Sequence, residues 1–238
     1  ATGVFDERTR RAANVSAGER SAQLRVTMER WRWLPPDLGS RYVWVNTANP
    51  TLQVVDWSPD GNQIAFTRQP NPLINSSIYA DIAVLLVDSG TLKTVVQNPS
   101  GDFFLRWSPD SKSILFSSSV NDTVSHYYKN NRIFIQNLAS GTRREIFTTV
   151  DEQKQVIDWN PSGIYYSYAD KMRNRLFRFN PATGEKTELN TGLDLPGGIS
   201  FSSDGQTMAV SGRGYDHLNE IYQGPPGGPM KKLTDMSS

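Results

Sequence analysis

The feature that most constrains the fold of this chain is a segment that recurs four times. "VVDWSPDGNQIAF" (54–66) is followed by "FLRWSPDSKSILF" (104–116), "VIDWNPSGIYYSY" (156–168) and "GISFSSDGQTMAV" (198–210). The anchoring aromatic residues are 50, 52 and 42 residues apart, at Trp57, Trp107, Trp159 and Phe201. Self-similarity at this period is typical of a repeat architecture in which each unit is a small supersecondary structure.

A second pattern recurs in phase with the first. "LLVDSGTLKTVV", "FIQNLASGTRREIF", "RFNPATGEKTEL" and "YQGPPGGPMKKL" each contain an apolar strand, a turn with glycine or small residues, and a second strand. Together the two patterns predict four short strands in every unit. In the second unit these strands are expected at about 106–108, 113–118, 132–138 and 143–148.

The residues after each aromatic anchor predict a tight turn. Pro59 presets the backbone angle of the first central turn position, and Asp60 with Gly61 completes the reversal. The same chemistry applies to "WSPDS" and "WNPSG", and it applies without the proline to "FSSDG". Each aromatic anchor therefore ends one strand of a hairpin.

The repeat predicts an all-β propeller of four recognisable four-stranded blades, spanning residues 40–238. A single sheet of this kind has two apolar faces that it cannot cover alone, and radial stacking of the units covers them. A solenoid is the second choice, and a sandwich would not explain the fixed order of motifs. The strand-like "SRYVWVN" (40–46) could form a partial fifth blade, close the ring or cap an edge, and an open ring is a further alternative. We interpret Trp57 and Trp107 as inter-blade packing residues rather than ligand platforms.

The repeat also resembles a known family. "WSPDG" followed by "IAF", then an apolar strand with an Asp…Gly turn and the finish "KKLTD", is similar to the WD40-like PD40 repeat over residues of about 51–235. This resemblance implies the β-propeller of the Tol-system periplasmic protein and of the gating domain in prolyl oligopeptidase-type peptidases. The shared residues are structural, so the resemblance implies a fold rather than an activity.

Residues 1–39 form a separate, basic N-terminal extension. Up to Arg41 this end carries eight arginines against five acidic residues. The string "MERWRWLPPDLG" lies within a stretch (about 5–47) that resembles the segment preceding the catalytic domain of periplasmic L,D-transpeptidases. That resemblance implies an extracytoplasmic bacterial setting. The cysteine chemistry of those enzymes does not carry over, because the chain contains no cysteine.

One helix is predicted in the N-terminal extension. Ser16 and Glu19 have the spacing of a capping box, and Leu24, Met28 and Trp31 share one helical face before a Pro-Pro pair. We expect this stripe to pack on the propeller while the arginines stay solvated. In the alternative, the basic helix docks on a partner or on an anionic membrane surface.

Composition excludes several classes of function. The chain has 25 Lys and Arg residues and 24 Asp and Glu residues, so its net charge is close to zero. The overall charge therefore gives no indication of nucleic-acid binding. No apolar window approaches the ~20 residues of a membrane span. No Gly-x-Ser-x-Gly nucleophile elbow and no phosphate-binding glycine loop is present. We therefore predict that the chain is not an enzyme and that it binds no cofactor or metal. A metal site that includes His126 and His217 is the less favoured alternative.

A candidate recognition site follows from the lengths of the connections. With strands named a to d from the innermost outwards, the b–c connections are expected at 67–81, 117–132, 169–175 and 211–219, all on one face. Aromatic residues with arginines are typical of recognition surfaces. The predicted partner-binding residues are His126, Tyr127, Tyr128, Lys129, Arg132, Arg173, Arg175, Arg213, Tyr215 and His217.

The sequence therefore predicts a non-catalytic protein-binding or scaffolding module of the bacterial cell envelope, a periplasmic or otherwise extracytoplasmic subunit of a larger assembly. The partner would bind the b–c face or the basic N-terminal helix. One alternative is the gating propeller of a prolyl oligopeptidase-type serine peptidase, separated from its hydrolase domain. A third, ranked last, is an enzyme acting on a carbohydrate or lactone through Asp56 and Asp158 near the ring axis.

Overall fold

The computed structural model describes residues 52–71, 73–120, 129–171, 173–193, 195–213 and 218–236, together with seven single positions between 16 and 26. The chain divides into two units, residues 1–46 and 47–238. All strands that the structure describes belong to the second unit. The predicted domain boundary near residue 40 stays a prediction.

The second unit consists of four antiparallel sheets, each made of four strands that pair in sequence order. The first blade contains β1 Leu52–Trp57, β2 Gln63–Arg68, β3 Asp81–Leu86 and β4 Thr91–Val96, with a 3-10 helix at Ile74–Tyr79. The second contains β5 Asp102–Trp107, β6 Ser113–Ser118, β7 Arg132–Asn137 and β8 Arg143–Ile146. The third contains β9 Gln155–Asn160, β10 Gly163–Asp170, β11 Arg173–Phe179 and β12 Lys186–Leu189. The fourth contains β13 Leu195–Phe201, β14 Met208–Arg213, β15 Glu220–Gly224 and β16 Lys231–Lys232. The prediction of an all-β propeller with four recognisable blades is confirmed.

The predicted turn chemistry is present between β1 and β2. The amide of Gly61 donates to the carbonyl of Ser58 at 2.8 Å, which closes the turn around Pro59. The Ser58 hydroxyl donates to Asp60 Oδ1 at 2.6 Å and accepts from the amide of Gln63 at 2.9 Å. The second and fourth blades repeat this network with the pairs Ser108–Asp110 and Ser202–Asp204. A serine and an aspartate together satisfy the turn's backbone donors.

The third blade makes its turn with fewer residues. Asn160 pairs directly with Gly163, so only Pro161 and Ser162 lie between β9 and β10. Gly163 has a φ of 138°, and a Cβ there would lie 2.7 Å from the carbonyl oxygen of Phe179. Only glycine fits this position.

Three apolar clusters lie at the three junctions between consecutive blades, and each cluster draws side chains from two blades. The first cluster contains Ala65, Ile82, Val84, Val96, Phe104, Trp107, Ile114, Phe116 and Phe134. The second contains Leu115, Ile133, Ile146, Phe147, Ile164, Tyr166, Phe177 and Phe179. The third contains Tyr165, Leu176, Leu189, Met208 and Val210. Burial of each large apolar side chain contributes roughly 1.5–3 kcal/mol, so packing at these junctions stabilises the stacking of neighbouring blades.

The tryptophan of the second blade packs between blades, as expected. Trp107 is 3% exposed and belongs to the cluster between the first and second blades. Its indole Nε1 donates to the backbone carbonyl of Asp56 at 3.1 Å, which ties the innermost strands of two blades together. Trp57 is half-buried.

Two sequence-based expectations require correction. Strand a of the second unit begins at Asp102 rather than near 106, and strand d ends at Ile146, where Phe147 adopts a φ of 60°. The third b–c connection, expected to be long over 169–175, is a tight hairpin: β10 ends at Asp170 and β11 begins at Arg173. Lys171, with a φ of 56°, supplies the left-handed backbone that a two-residue turn needs.

The first unit is described at a few positions only. The amide of Ser16 donates to Glu19 Oε2 at 3.0 Å and the amide of Glu19 donates to the Ser16 hydroxyl at 3.2 Å, the reciprocal bonds of a capping box. Helical positions are Gly18, Glu19, Ser21, Ala22, Arg25 and Val26. The predicted stripe of Leu24, Met28 and Trp31 and the segment 40–46 lie outside the described residues.

Candidate functional site

The two ends of the blades form two different faces. Because neighbouring strands are antiparallel, strand b ends beside the start of strand a, and the b–c and d–a connections emerge at the same end. We call this end the loop face; its connections are 69–80, 119–131, 171–172, 214–219, 97–101, 147–154 and 190–194. The opposite end, with the a–b and c–d turns, is the turn face.

Half of the predicted partner-binding residues lie outside the described residues, namely His126, Tyr127, Tyr128, Tyr215 and His217. The other half lie at the loop face, namely Lys129, Arg132, Arg173, Arg175 and Arg213. Four of these five are strand residues at blade ends rather than loop residues, because the third hairpin is short and because β7 and β14 reach the face. Their role in binding stays a prediction.

Two of these arginines are held by ion pairs within their own blades. Arg132 Nε donates to Glu145 Oε1 at 2.7 Å, and Arg175 Nε donates to Glu188 Oε1 at 2.8 Å; in both pairs Nη2 binds the second carboxylate oxygen. Arg175 also binds Asp170 at 2.9 Å. Each pair joins strand c to strand d, and hydrogen bonds from the arginines lower the pKa of Glu145 and of Glu188.

Below each arginine lies an aromatic ring. The guanidinium carbons of Arg132 and Arg175 lie 5.6 Å from the ring centroids of Phe134 and Phe177, respectively. The bidentate pair and the ring contact together fix the guanidinium plane. These two arginines therefore stabilise their own blades, and their role in binding a partner stays a prediction.

The fourth blade has the same ion-pair position with the charges exchanged. Glu220 begins strand c, where Arg132 and Arg175 stand in their blades, and Lys232 occupies the strand d position. Lys232 Nζ lies 3.3 Å from Glu220 Oε1, and the Glu220 side chain is fully buried. In the first blade the position belongs to Asp81.

A cavity of about 920 Å³ opens on the loop face beside the third blade. Leu176, Leu189 and Pro196 are buried at its base, whereas Lys171 and Arg173 are exposed at its edge. Among the described residues, Lys171 and Arg173 form no ion pair, in contrast to the neighbouring Arg175. The cavity thus combines an apolar base with two cations that remain open to an acidic group.

A second cavity, of about 590 Å³, opens on the same face beside the second blade. Its base includes Ile133 and Phe147, and Lys129 and Lys154 lie among its lining residues. Lys154 donates to the carbonyl of Val150 at 2.5 Å, and burial lowers its pKa. Both cavities lie where one blade meets the next.

Residues of the d–a connections line both cavities and were missed by sequence reasoning. They include Val150, Asp151 and Lys154 in one cavity and Asn190–Leu193 in the other. The signal was available, because strand alternation alone places d–a connections beside b–c connections. A cavity of about 430 Å³ on the turn face is lined instead by turn residues such as Pro109, Pro161 and Pro181.

The positions before the aromatic anchors, near the ring axis, are Asp56, Arg106, Asp158 and Ser200. Arg106 donates through Nε and Nη2 to the carbonyl of Ile157, at 3.2 and 2.8 Å. Asn160 Nδ2 donates to Asp158 Oδ2 at 3.0 Å. Arg106 thus lies between Asp56 and Asp158 in the order of the blades. Arg106 and Asp158 both form hydrogen bonds within the protein.

The repeat and the blades together define a propeller of the kind found in TolB and in prolyl-peptidase-type enzymes. TolB of Acinetobacter baumannii superposes with a TM-score of 0.57 at 16% identity, covering 80% of this chain and 45% of that one. Dipeptidyl peptidase 4 of Porphyromonas gingivalis has a TM-score of 0.57 at 14% identity, covering 77% and 32%. At these identities the likeness concerns the fold.

Among curated proteins, dipeptidyl-peptidase 5 of Porphyromonas gingivalis is 26% identical over 189 residues, which are 77% of this chain. The chain spans only 27% of the length of that relative. No protein-family model matches the chain. Within the described part of the chain, no helix has the length and apolar character that crossing a membrane requires.

Proposed function

We propose that this chain is a non-catalytic, protein-binding propeller module of the cell envelope, and that its loop face binds a partner polypeptide. The observation that carries the proposal is the cavity of about 920 Å³ beside the third blade. It has an apolar base and a charged edge, which is the usual anatomy of a polypeptide-binding site.

The charges favour an acidic segment in the partner. Arg175 is neutralised by Asp170 and Glu188, so the field at the cavity edge is set by Lys171 and Arg173. A carboxylate seated between those two cations would gain charge-assisted hydrogen bonds without breaking an existing ion pair. The buried Leu176 and Leu189 below would take an apolar side chain from the same segment.

Site-specific photo-crosslinking in native envelopes tests the proposal. A photoreactive residue at Asn174, in the cavity, should capture a partner, whereas one at Ala182, in the turn-face cavity, should not. A chain lacking residues 1–39 should give the same crosslink, which separates the loop face from the basic N-terminal extension. Equal capture at Asn174 and Ala182 would refute the proposal.

Charge reversal supplies a second, independent readout. The pair K171E and R173E should weaken capture at Asn174 at least tenfold, since two attractive contacts become repulsive. The matched control is K93E with K112E, because both lysines are exposed and away from the cavity, and the net charge changes equally. If both pairs reduce capture to the same extent, the effect is one of net charge and the cavity is not the site.

The extracytoplasmic location is part of the proposal. It is supported by the resemblance of the repeats to the Tol-system periplasmic protein and by the transpeptidase-like string "MERWRWLPPDLG". In cells with a permeabilised outer membrane, added protease should digest the protein while a cytoplasmic marker survives. Protection equal to that of the marker would place the protein inside the cytoplasm.

A gating propeller of a serine peptidase is the second candidate. The specific observation in its favour is the 26% identity to dipeptidyl-peptidase 5 over 77% of this chain. A fluorophosphonate probe, which labels activated serines, separates the two functions when applied to the native polypeptide. Labelling of a polypeptide that contains this propeller would favour the gating function and overturn the scaffold.

A further inference from the structure

The two cavities of the loop face are lined by equivalent residues of neighbouring blades. Ile133 pairs with Ile146 in the second blade, and Leu176 pairs with Leu189 at the same register in the third. These side chains are 2%, 4%, 2% and 7% exposed, and they form the apolar bases of the cavities of about 590 and 920 Å³. In both cavities the d–a connection to the following blade completes the lining. The cavity of the second blade is therefore repeated one blade further on.

The polar part of the lining is repeated as well. Each cavity contains the arginine–glutamate pair that joins strands c and d, Arg132 with Glu145 in one and Arg175 with Glu188 in the other. An asparagine precedes each arginine in the chain and lines the same cavity. Among the described residues, each lining contains three cations and two carboxylates, so each cavity has one positive charge in excess. Both cavities therefore favour an acidic group beside an apolar one.

A smaller cavity of about 210 Å³ adjoins the linings of both larger ones. It shares Asn174 and Pro196 with the cavity of the third blade, and it is also lined by Gln155, which follows Lys154 of the other cavity. Two exposed glycines of the β13 bulge, Gly197–Gly198, belong to its lining and leave room for the close approach of a polypeptide backbone. The three cavities thus adjoin one another along the loop face.

We propose that one extended segment of the partner occupies both larger cavities, with an apolar side chain and an acidic residue at each. This inference rests on the proposed function and adds the class of partner, a polypeptide with two similar acidic–apolar units in one segment. The matching bases and the matching excess charge favour the same kind of unit at both places. The small cavity gives the chain a path between them. Joining two sites through one ligand raises the affinity roughly 100-fold or more over that of either site.

Photo-crosslinking at the second cavity tests the proposal in native envelopes. A photoreactive residue at Thr148, which is exposed in the cavity of the second blade, should capture the same polypeptide as one at Asn174. A chain with photoreactive residues at both positions should give a product of one chain and one partner molecule. Mass spectrometry should place both attachment points on a single segment of that partner. The control is Leu73, which is 67% exposed on the same face but outside the three linings, and it should not capture the partner.

The outcomes separate this inference from the proposed function. Capture at Asn174 without capture at Thr148 would overturn the inference and leave the proposed function standing, whereas capture at neither position would remove both. A doubly crosslinked product that contains two partner molecules would show two independent sites and would also overturn the inference. Equal capture at Leu73 would mean that the contact is not confined to the cavities, which is a further way for the inference to fail.

Coupling between the cavities gives a second readout. The pair K171E and R173E alters only the cavity of the third blade. If one segment fills both cavities, this pair should also lower capture at Thr148 at least about tenfold, because the unit in the other cavity loses its tether. The charge-matched control, K93E with K112E, should leave capture at Thr148 within about twofold of the parent chain. Unchanged capture at Thr148 in K171E with R173E would mean that the two cavities bind separately, and it would overturn the inference.

Discussion

The turn face and the loop face are made from the same sixteen strands in the described part of the chain, yet their connections differ in kind. On the turn face, three of the four a–b turns use the same serine–aspartate hydrogen bonds. On the loop face, the four b–c connections have 12, 13, 2 and 6 residues, so no two are alike. The repeated hydrogen bonds of the turn face stabilise the hairpins of the blades. The described connections of the loop face have no such repeated pattern, so they can vary without disturbing those hairpins.

The largest effect is expected where the turn face departs from its own rule. Gly163→Ala should destabilise the protein by about 2–4 kcal/mol, because the new Cβ would meet the carbonyl of Phe179 at a φ that favours glycine. Gly61→Ala is the matched control: its Cβ would have open space, so only the left-handed backbone costs free energy, about 1 kcal/mol. Urea unfolding measures both. Equal losses would mean that the short turn has no special constraint.

Acid should loosen the turn face through its aspartates. The hydroxyl of a neighbouring serine holds the pKa of Asp60, Asp110 and Asp204 below the ordinary value. A lowered folded pKa means that the stabilisation is present above the unfolded pKa, about 3.9, and is lost as pH falls through the folded value. We therefore expect the urea concentration at the unfolding midpoint to decrease when the pH is lowered below about 4.

Replacing all three aspartates by asparagine should make that fall shallower, because asparagine accepts the same hydrogen bonds without titrating. The carboxylates of Glu145 and Glu188 on the loop side keep their own acid sensitivity and provide the internal control. An unchanged pH profile in the triple variant would show that the turn aspartates do not contribute.

A smaller effect is expected from exchanging the charges of one ion pair. R132E alone should cost about 0.5–1 kcal/mol, since it places two carboxylates together at a partly exposed site. Adding E145K should recover most of that loss, because the double variant has the arrangement of Glu220 and Lys232 in the fourth blade. A double-mutant cycle by urea unfolding gives the coupling. No recovery would mean that burial of Glu220, and not the charge pairing, makes the reversed order tolerable.

The smallest effect on stability is expected at the cavity edge of the loop face. K171A and R173A should each shift the free energy of unfolding by less than about 0.5 kcal/mol, because neither side chain has an ion pair within the described part of the chain. The same variants should weaken partner capture. A loss of 1 kcal/mol or more in thermal or urea unfolding would assign these residues to structure.

Much of the fold was predictable because its determinants are local. The turn sequence after each aromatic anchor and the strand–turn–strand that follows depend on residues near one another, so they appear in the sequence as a repeat. The length of the third hairpin was not predictable in this way. "ADKMRNR" reads as a polar loop, but a left-handed Lys171 allows two long strands to continue almost to the turn.

The sequence predicts the face on which the candidate site lies better than it predicts which residues of that face are available for binding. Strand alternation places the b–c and d–a connections on one face. Only the register of strands c and d shows that Arg132 and Arg175 form ion pairs with glutamates thirteen residues further along the chain. The sequence likewise treats Lys171 as one basic residue among several. Its importance depends on the neutralisation of Arg175, which is a property of the assembled blade.

The reversed pair in the fourth blade has a consequence for recognising such repeats. Each of three blades satisfies its c–d edge with one cation and one anion, but the order of the two differs. An alignment that scores every column separately therefore counts two mismatches where the physical requirement has been met. A comparison that scores the product of the two charges would recover the fourth unit as a full member of the array.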